Sequence, residues 1–375
     1  MSSFAHAMLR EIHEQPAAVR RTLALYTEAG RLRAKAWQAL LPGLSSSGPI
    51  VIAASGSSRH SGLAAEIMLE EIVGAIVDVE YASEYAARSQ GAPSVGGVIA
   101  LSQSGETSDT LAALRAARSR GLRTLAITNN ADSTLAAEAS VSLPLAAGVE
   151  TAIPATKSFL CQLILLYLLA LHEAEQCSTI SSSQLEARLA ELHALPEHLA
   201  RQMEGWRECV AAITEKYLDA QTFLYLGRGI HYAIAREGAL KLKESAYVHA
   251  EAYPSGELRH GPNALVSNAV PLVVLATVDP AMEDSRFRYG KTLQMLKELR
   301  AQQARVIAIA NRDDSAVAAL ASDCIFVEPL SEYLLPAAEV VPLQLFAYQM
   351  ALARGIDMDH PRHLEKAVIE RGGFR

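Results

Sequence analysis

The sequence predicts an α/β protein built from two copies of one unit, each a parallel sheet covered by helices. Apolar runs of strand length alternate with segments of helical period, as strand–helix–strand units require. The runs fall into two sets, 50–54, 77–81, 97–101, 124–128 and 141–145, then 222–226, 271–277, 305–310 and 324–327. The sets echo each other. Ile-Ala-Ala-Ser55-Gly-Ser aligns with Leu-Tyr-Leu-Gly227-Arg-Gly, and Ala-Ile-Thr-Asn-Asn before Ser133 with Ala-Ile-Ala-Asn-Arg before Ser315.

Taken in chain order, a helical arm (1–45) comes first, in which Pro16 starts a new helix rather than interrupting one. The first copy spans 46–176 and closes with an apolar helix over 155–175. A connecting region (177–218) follows, where the polar run Ser-Thr-Ile-Ser-Ser-Ser at 178–183 caps a further helix over 184–218. The second copy spans 219–352. The end of the chain, 353–375, is polar and contains Asp359-His-Pro-Arg-His363-Leu-Glu-Lys366, which reads as an extended tail laid over the fold.

Composition narrows the function classes. At 375 residues the chain has room for two to three domains of about 150 residues each, enough for a core without disulfides or metal. Lys and Arg number 34 against 41 Asp and Glu, a net charge of −7, and the one basic run, Arg118-Ser-Arg120-Gly-Leu-Arg123, reads as a solvated helix end. Nucleic acid is therefore not an expected partner. The four cysteines (Cys161, Cys177, Cys209, Cys324) stand far apart, which predicts no zinc site, no disulfide framework and a reducing compartment. The start, Met-Ser-Ser-Phe-Ala-His, lacks signal-peptide character. The most apolar stretch, 159–171, is 13 residues long and contains Gln162, too short for a bilayer. A cytoplasmic protein without a membrane partner is the expectation.

Three segments carry chemistry. Leu101-Ser102-Gln103-Ser104-Gly105-Glu106-Thr107-Ser108 joins a strand to a helix. Such a turn aims backbone N–H groups at one place, and the helix N-terminus adds about half a positive charge. The Ser102, Ser104 and Thr107 hydroxyls and the Gln103 amide add neutral donors, a cradle for a sugar phosphate; an empty helix cap is the simpler alternative. The turn lacks the GKS/GKT of a P-loop and the GxGxxG of a dinucleotide site. A second hydroxyl turn, Ser55-Gly56-Ser57-Ser58, follows the first strand. Both sit at strand C-terminal ends, where open α/β sheets bind ligands. Third, Glu237, Lys241 and Glu244 fall at i, i+4 and i+7 on one helix face among small and apolar neighbours. A surface ion-pair stripe has the same spacing, but these neighbours predict an inward row suited to proton transfer. His260 lies in a Gly/Pro-bounded loop with no core role, whereas His249 reads as packed.

LSQSGET, ALKLKE, HAEAYPSGELRHGP and PRHLEK resemble the isomerase half of glutamine:fructose-6-phosphate amidotransferase, along nearly the whole chain. The resemblance implies two tandem sugar isomerase (SIS) domains, each a parallel five-stranded sheet flanked by helices, in a homodimer. It implies that Ser58, Ser102, Gln103, Ser104 and Thr107 hold the phosphate, with Ser57 beside them. By the same resemblance Glu244 moves a proton between C1 and C2, and Lys241 supports it. His260 opens the sugar ring from across the dimer, and Lys366 forms a Schiff base with the keto sugar. No cofactor and no metal are implied. The synthase carries a cysteine after its initiator Met, where this chain has Ser2. Pro154 and Ala155 also replace a small residue and a serine, so sugar contacts there are not carried over. The expectation is an amino-sugar-phosphate deaminase/isomerase turning glucosamine 6-phosphate into fructose 6-phosphate and ammonia. The alternatives are a synthase-like isomerase using free or partner-delivered ammonia, and a non-catalytic sugar-phosphate sensor.

Overall fold

The structure is a computed structural model that describes residues 4–40, 48–88 and 95–366. The chain divides into two compact units. One comprises Gln15–Glu150, Lys157–Pro196 and the tail from Glu365; the other comprises the N-terminus to Glu14, Thr151–Thr156 and Glu197–Leu364. The helical arm is thus shared. Helix α1 (Ala7–His13) belongs to the second unit and α2 (Gln15–Tyr26) to the first, with Pro16 in the first turn of α2.

In the first unit a small hairpin, β1 (Thr27–Glu28) and β2 (Arg31–Leu32), and a short helix, α3 (Ala34–Trp37), precede the sheet. The alternation then runs β3 (Ile50–Ala54), α4 (Gly56–Val73), β4 (Val77–Tyr81), α5 (Ala82–Ala87), β5 (Gly97–Leu101), α6 (Ser108–Ser119), β6 (Arg123–Thr128), α7 (Thr134–Glu138) and β7 (Val141–Pro144). All five strands β3–β7 are parallel, in the order β4-β3-β5-β6-β7, with Ala54 level with Leu101. Strands β3 and β5 are buried along their whole length. That explains their unbroken apolar sequence, because helices cover both faces of a parallel sheet.

Helix α8 (Lys157–Gln176) packs on α2 and α4 and is buried from Lys157 through Ala174. The sequence expectation needs correction here. The helix runs 20 residues, long and apolar enough by length and composition to cross a membrane, and 94% of its apolar window is buried inside the fold. Burial all round, rather than shortness, marks it as a core helix. Helix α9 (Ser182–Glu215) contains Pro196, where the division between the units falls.

The second unit repeats the pattern: β8 (Thr222–Gly227), α10 (Ile230–Ala246), β9 (His249–Pro254), β10 (Leu272–Leu275), α11 (Glu283–Ala301), β11 (Val306–Asn311), α12 (Ser315–Ala318), β12 (Asp323–Val327) and α13 (Leu335–Ala353). Its parallel sheet has the order β12-β11-β10-β8-β9, and α13 packs against both α10 and α1. Counted within each unit, both sheets have strand order 2-1-3-4-5. The chain changes direction across the sheet between β3 and β5, and again between β8 and β10, which opens a crevice at the strands' C-terminal ends.

Three strands escaped the sequence reading: β1 and β2, a hairpin within the arm expected to be helical, and β9. β9 is an edge strand whose exposed and buried residues alternate instead of forming an apolar run. His249 lies on it, and the expectation that it is packed is wrong. Its side chain is 62% exposed, and its Nδ1 lies 2.8 Å from Thr222 Oγ1 on the neighbouring strand.

Candidate active site

The first-sheet crevice is built by the two hydroxyl turns. Ser55 is the N-cap position of α4, and the Ser102–Thr107 turn leads from β5 into α6, with Thr107 as its N-cap. The Ser102 side chain is buried. Its Oγ lies 3.0 Å from Thr107 Oγ1 and accepts from the Gly105 N–H at 3.1 Å. Ser104 Oγ accepts from the Glu106 N–H at 3.1 Å, and Glu106 Oε1 accepts from the Thr134 N–H at 2.8 Å. Gly105 has φ +71°, and a Cβ there would lie 2.1 Å from Ser133 Oγ, so only glycine lets the turn close on the strand behind it. The turn is preorganised by its own bonds. No described group accepts from the backbone N–H of Ser104 or Thr107, and these donors stand at the N-terminus of a 12-residue helix. An anion is the natural acceptor.

Ser58 sits in the first turn of α4, buried, and its Oγ accepts from Gln162 Nε2 of α8 at 2.9 Å. Gln162 Oε1 in turn accepts from Ser61 Oγ at 3.0 Å. Ser57, one residue earlier, is half-buried. Gln162 is thus the amide that fixes the first turn, a role the sequence offered no spacing to find.

The Glu237–Lys241–Glu244 row on α10 does face inward. Glu237 and Lys241 are fully buried and the Glu244 side chain is 22% exposed. Lys241 Nζ lies 2.6 Å from Glu244 Oε2 and 3.4 Å from Glu237 Oε1. Burial opposes the ammonium charge, but the Glu237 and Glu244 carboxylates outweigh it and raise Lys241 above the ordinary lysine range. Glu244 is the accessible end of the row, a carboxylate anchored by a permanent cation. His260 closes a short 3-10 turn (Glu257–His260) and is exposed, with no hydrogen bond to the α10 row.

Lys366 belongs to the first unit, where its Nζ lies 2.9 Å from Glu150 Oε2. Glu150 is buried, and its carboxylate also accepts from Ser158 N–H at 3.1 Å and Ser158 Oγ at 2.6 Å. It thereby satisfies a free N–H at the start of α8. Glu150 was not among the residues singled out from the sequence, because an isolated carboxylate in a loop has no periodicity to betray it. In the second unit the tail begins by laying the Arg362 guanidinium 4.3 Å above the Tyr247 ring.

The second-sheet crevice has a different lining. Where the first has hydroxyls, α10 places His231 against Glu332 and Glu339, at 3.3 and 2.8 Å. Thr277 just after β10 donates to Glu339, and Arg288 pairs with Glu332. Both carboxylates are fully buried. Burial would push His231 down, but Glu339 and Glu332 outweigh it and hold the imidazole charged up to about 10. Burial likewise opposes ionisation of Glu332, yet His231, Ser285 and Arg288 pull its carboxyl down to about 2. Both carboxylates are matched by the His231 imidazolium and the Arg288 guanidinium, a buried ion network where the first unit has hydroxyls.

Two parallel sheets with one strand order, the first with hydroxyl turns at its crevice and the second with a buried ion cluster, define a duplicated α/β fold. The SIS domain family matches residues 43–172 and 216–354, and the chain belongs to that family in two copies. Similar proteins include the glutamine–fructose-6-phosphate aminotransferases [isomerizing] of Chlorobaculum tepidum and Thermus thermophilus, 40% identical over 367 and 369 residues. These alignments cover 97% of this chain and 58% and 59% of the relatives, so the chain spans less than three fifths of their length. The solved C-terminal domain of glucosamine-fructose-6-phosphate aminotransferase from Francisella tularensis superimposes with a TM-score of 0.88 at 32% identity, over 96% of this chain and 100% of that one. The glucosamine-6-phosphate deaminase of Thermotoga maritima gives 0.71 at 23% identity over 97% of this chain and 100% of its own, a likeness of fold alone.

Proposed function

We propose that the chain is an amino-sugar-phosphate isomerase that interconverts glucosamine 6-phosphate and fructose 6-phosphate, with deamination of the amino sugar as its reaction. The observation that carries this reading is the buried Glu237–Lys241–Glu244 row on α10, a carboxylate poised on a fixed cation. The SIS family membership and the relatives' printed names support the substrate class.

In this reading the Ser102–Thr107 turn and Ser58 hold the phosphate with neutral donors. His260, contributed by a second copy of the chain in a homodimer, transfers the proton that opens the ring and exposes the C1 aldehyde. Glu244 takes the proton from C2 and returns it to C1, while O1 gains a proton and the nitrogen gives one up, leaving an imine at C2. Lys366, once Glu150 at 2.9 Å has taken its proton, adds to that imine and expels ammonia, forming a Schiff base that water hydrolyses to the ketose and the free amine. In the opposite direction Lys366 forms the same Schiff base on the ketose C2 carbonyl with loss of water, and ammonia then displaces the lysine. The same groups serve both directions by microscopic reversibility, so a synthase-like isomerase fed with ammonia is the second reading. We place the protein in the cytoplasm.

The test is an assay of the purified chain with glucosamine 6-phosphate, following ammonia and fructose 6-phosphate in the presence of a chelator. Release of both in equal amounts is expected. Silence with glucosamine and galactosamine 6-phosphates, but amino sugar made from fructose 6-phosphate plus ammonium, establishes the second reading. No conversion in either direction refutes both.

A further inference from the structure

In the second unit Arg228, Ser255, Gly256, Arg259, Lys291 and Gln294 line a recess of about 70 Å³. Arg228 projects from the turn after β8, where the chain is held tight by Gly227: a Cβ on Gly227 would lie 2.4 Å from the His231 carbonyl oxygen. Ser255 and Gly256 follow β9 directly, while Lys291 and Gln294 come from α11.

Two features make the recess a built site. The Ser255 side chain is 95% buried (5% exposed), yet its hydroxyl has no hydrogen-bond partner among the described residues, although it lines the recess. Arg228 Nε is buried without a partner in the same way. Buried donors left unmatched cost stability and call for an acceptor. Three cations line the recess: Arg228, Arg259, whose Nε donates to Glu298 Oε2 at 3.1 Å, and Lys291, whose Nζ lies 5.4 Å from the Phe287 ring centroid. Its lining of guanidinium, ammonium, hydroxyl and amide donors suits a small tetrahedral anion. Arginine is the side chain best matched to phosphate oxygens.

We propose that this recess binds a tetrahedral oxyanion, either inorganic phosphate or the phosphate end of a phosphomonoester, and that its occupancy fixes the segment carrying His260. Ser255 and Gly256 lead straight into the 3-10 turn Glu257–His260, so an anion bridging Arg228, Ser255 and Lys291 clamps that turn at its root. The binding claim stands by itself; only its catalytic consequence rests on the role proposed for His260.

The experiment titrates inorganic phosphate calorimetrically into the full chain carrying Ser104→Ala and Thr107→Ala, which weakens the first-sheet turn. About one phosphate should still bind. Adding Arg228→Gln should weaken that event at least about tenfold, the loss of one charge-assisted contact. The exposed Lys291→Gln, which cannot disturb the core, should weaken it in the same sense. Gly256→Ala keeps an allowed backbone (φ −67°) but sets a methyl 3.3 Å from Arg228 Nη2, and should weaken binding too. Phosphate should slow hydrogen exchange over 257–261 unless Arg228 is replaced. Glycerol phosphate binding tighter than inorganic phosphate identifies a phosphomonoester ligand; equal or weaker binding identifies the free ion. Absence of any phosphate binding in the double variant, or binding unchanged by Arg228→Gln and Lys291→Gln, overturns the proposal. The readout needs no turnover, so its failure and a failure of the sugar chemistry are separate results.

Discussion

A carboxylate proposed to shuttle a proton must be reachable and held still. The Glu244 side chain is 22% exposed and is anchored 2.6 Å from Lys241 Nζ. Lys241 is fully buried, and with Glu237 behind it the ammonium does not depend on Glu244 as its sole counter-ion. The cost of an unpaired buried ammonium is thereby avoided. Replacing Glu244 by Gln keeps size and hydrogen bonding but removes the proton acceptor. Turnover should fall by about 10²–10⁴-fold while sugar-phosphate affinity, measured by calorimetry, stays within a few-fold. Retained turnover would remove Glu244 from its role. The same residue-scale logic explains why Glu150 is easily overlooked in the sequence: its significance comes from the Ser158 and Lys366 partners that the fold delivers to it.

At the scale of elements, the turn proposed to hold phosphate depends on one glycine. Gly105 adopts a left-handed conformation and sits against Ser133, which itself caps α7 by accepting from the Ala136 N–H at 3.3 Å. A methyl at that position forces the turn away from the β5 end and unsettles the α7 cap together. Gly105→Ala should lower stability by about 1–3 kcal/mol and raise KM for the sugar phosphate more than it lowers kcat. Denaturant melts and steady-state kinetics check both; an unchanged KM would show that the turn does not hold substrate. The strands around this turn were legible as sequence because a parallel sheet buried on both faces needs unbroken apolar runs, as in β3 and β5. β9 was not legible, since only one side of an edge strand is paired and its alternation of His249, Ala250 and Glu251 carries no such run. The i, i+4, i+7 row was legible, because helical periodicity places those side chains together whatever the rest of the fold does. Gln162, buried within the apolar stretch of α8, has no spacing that singles it out. It is the group that holds Ser58.

For the molecule as a whole, duplication gave two crevices of one topology with different linings. The sequence shows the repeat but not this asymmetry, because His231, Glu332 and Glu339 lie on separate elements and meet only in the folded second unit. Their cluster makes stability depend on pH in a defined sense. His231 is held charged up to about 10 against an ordinary 6.5, so its contribution is complete below 6.5 and is lost as pH rises towards 10. Glu332 is pulled down to about 2 from 4.5, so its contribution is complete above 4.5 and is lost as pH falls towards 2. Melting temperature should therefore be highest between about 4.5 and 6.5 as far as this cluster decides it. His231→Ala should cost about 3–5 kcal/mol near neutral pH by leaving buried Glu339 without a cation while Glu332 keeps Arg288, and should flatten the alkaline limb. A variant with the alkaline limb intact would mean that His231 is not the charged partner.

The division of labour between the crevices is tested most directly by a crystal structure of the chain grown with fructose 6-phosphate. The phosphate should lie about 3 Å from the Ser104 and Thr107 donors at the α6 N-terminus, with the His231 cluster unchanged. A phosphate seated instead among His231, Arg288 and Thr277, or absent from the α6 turn at saturating sugar, would contradict the account.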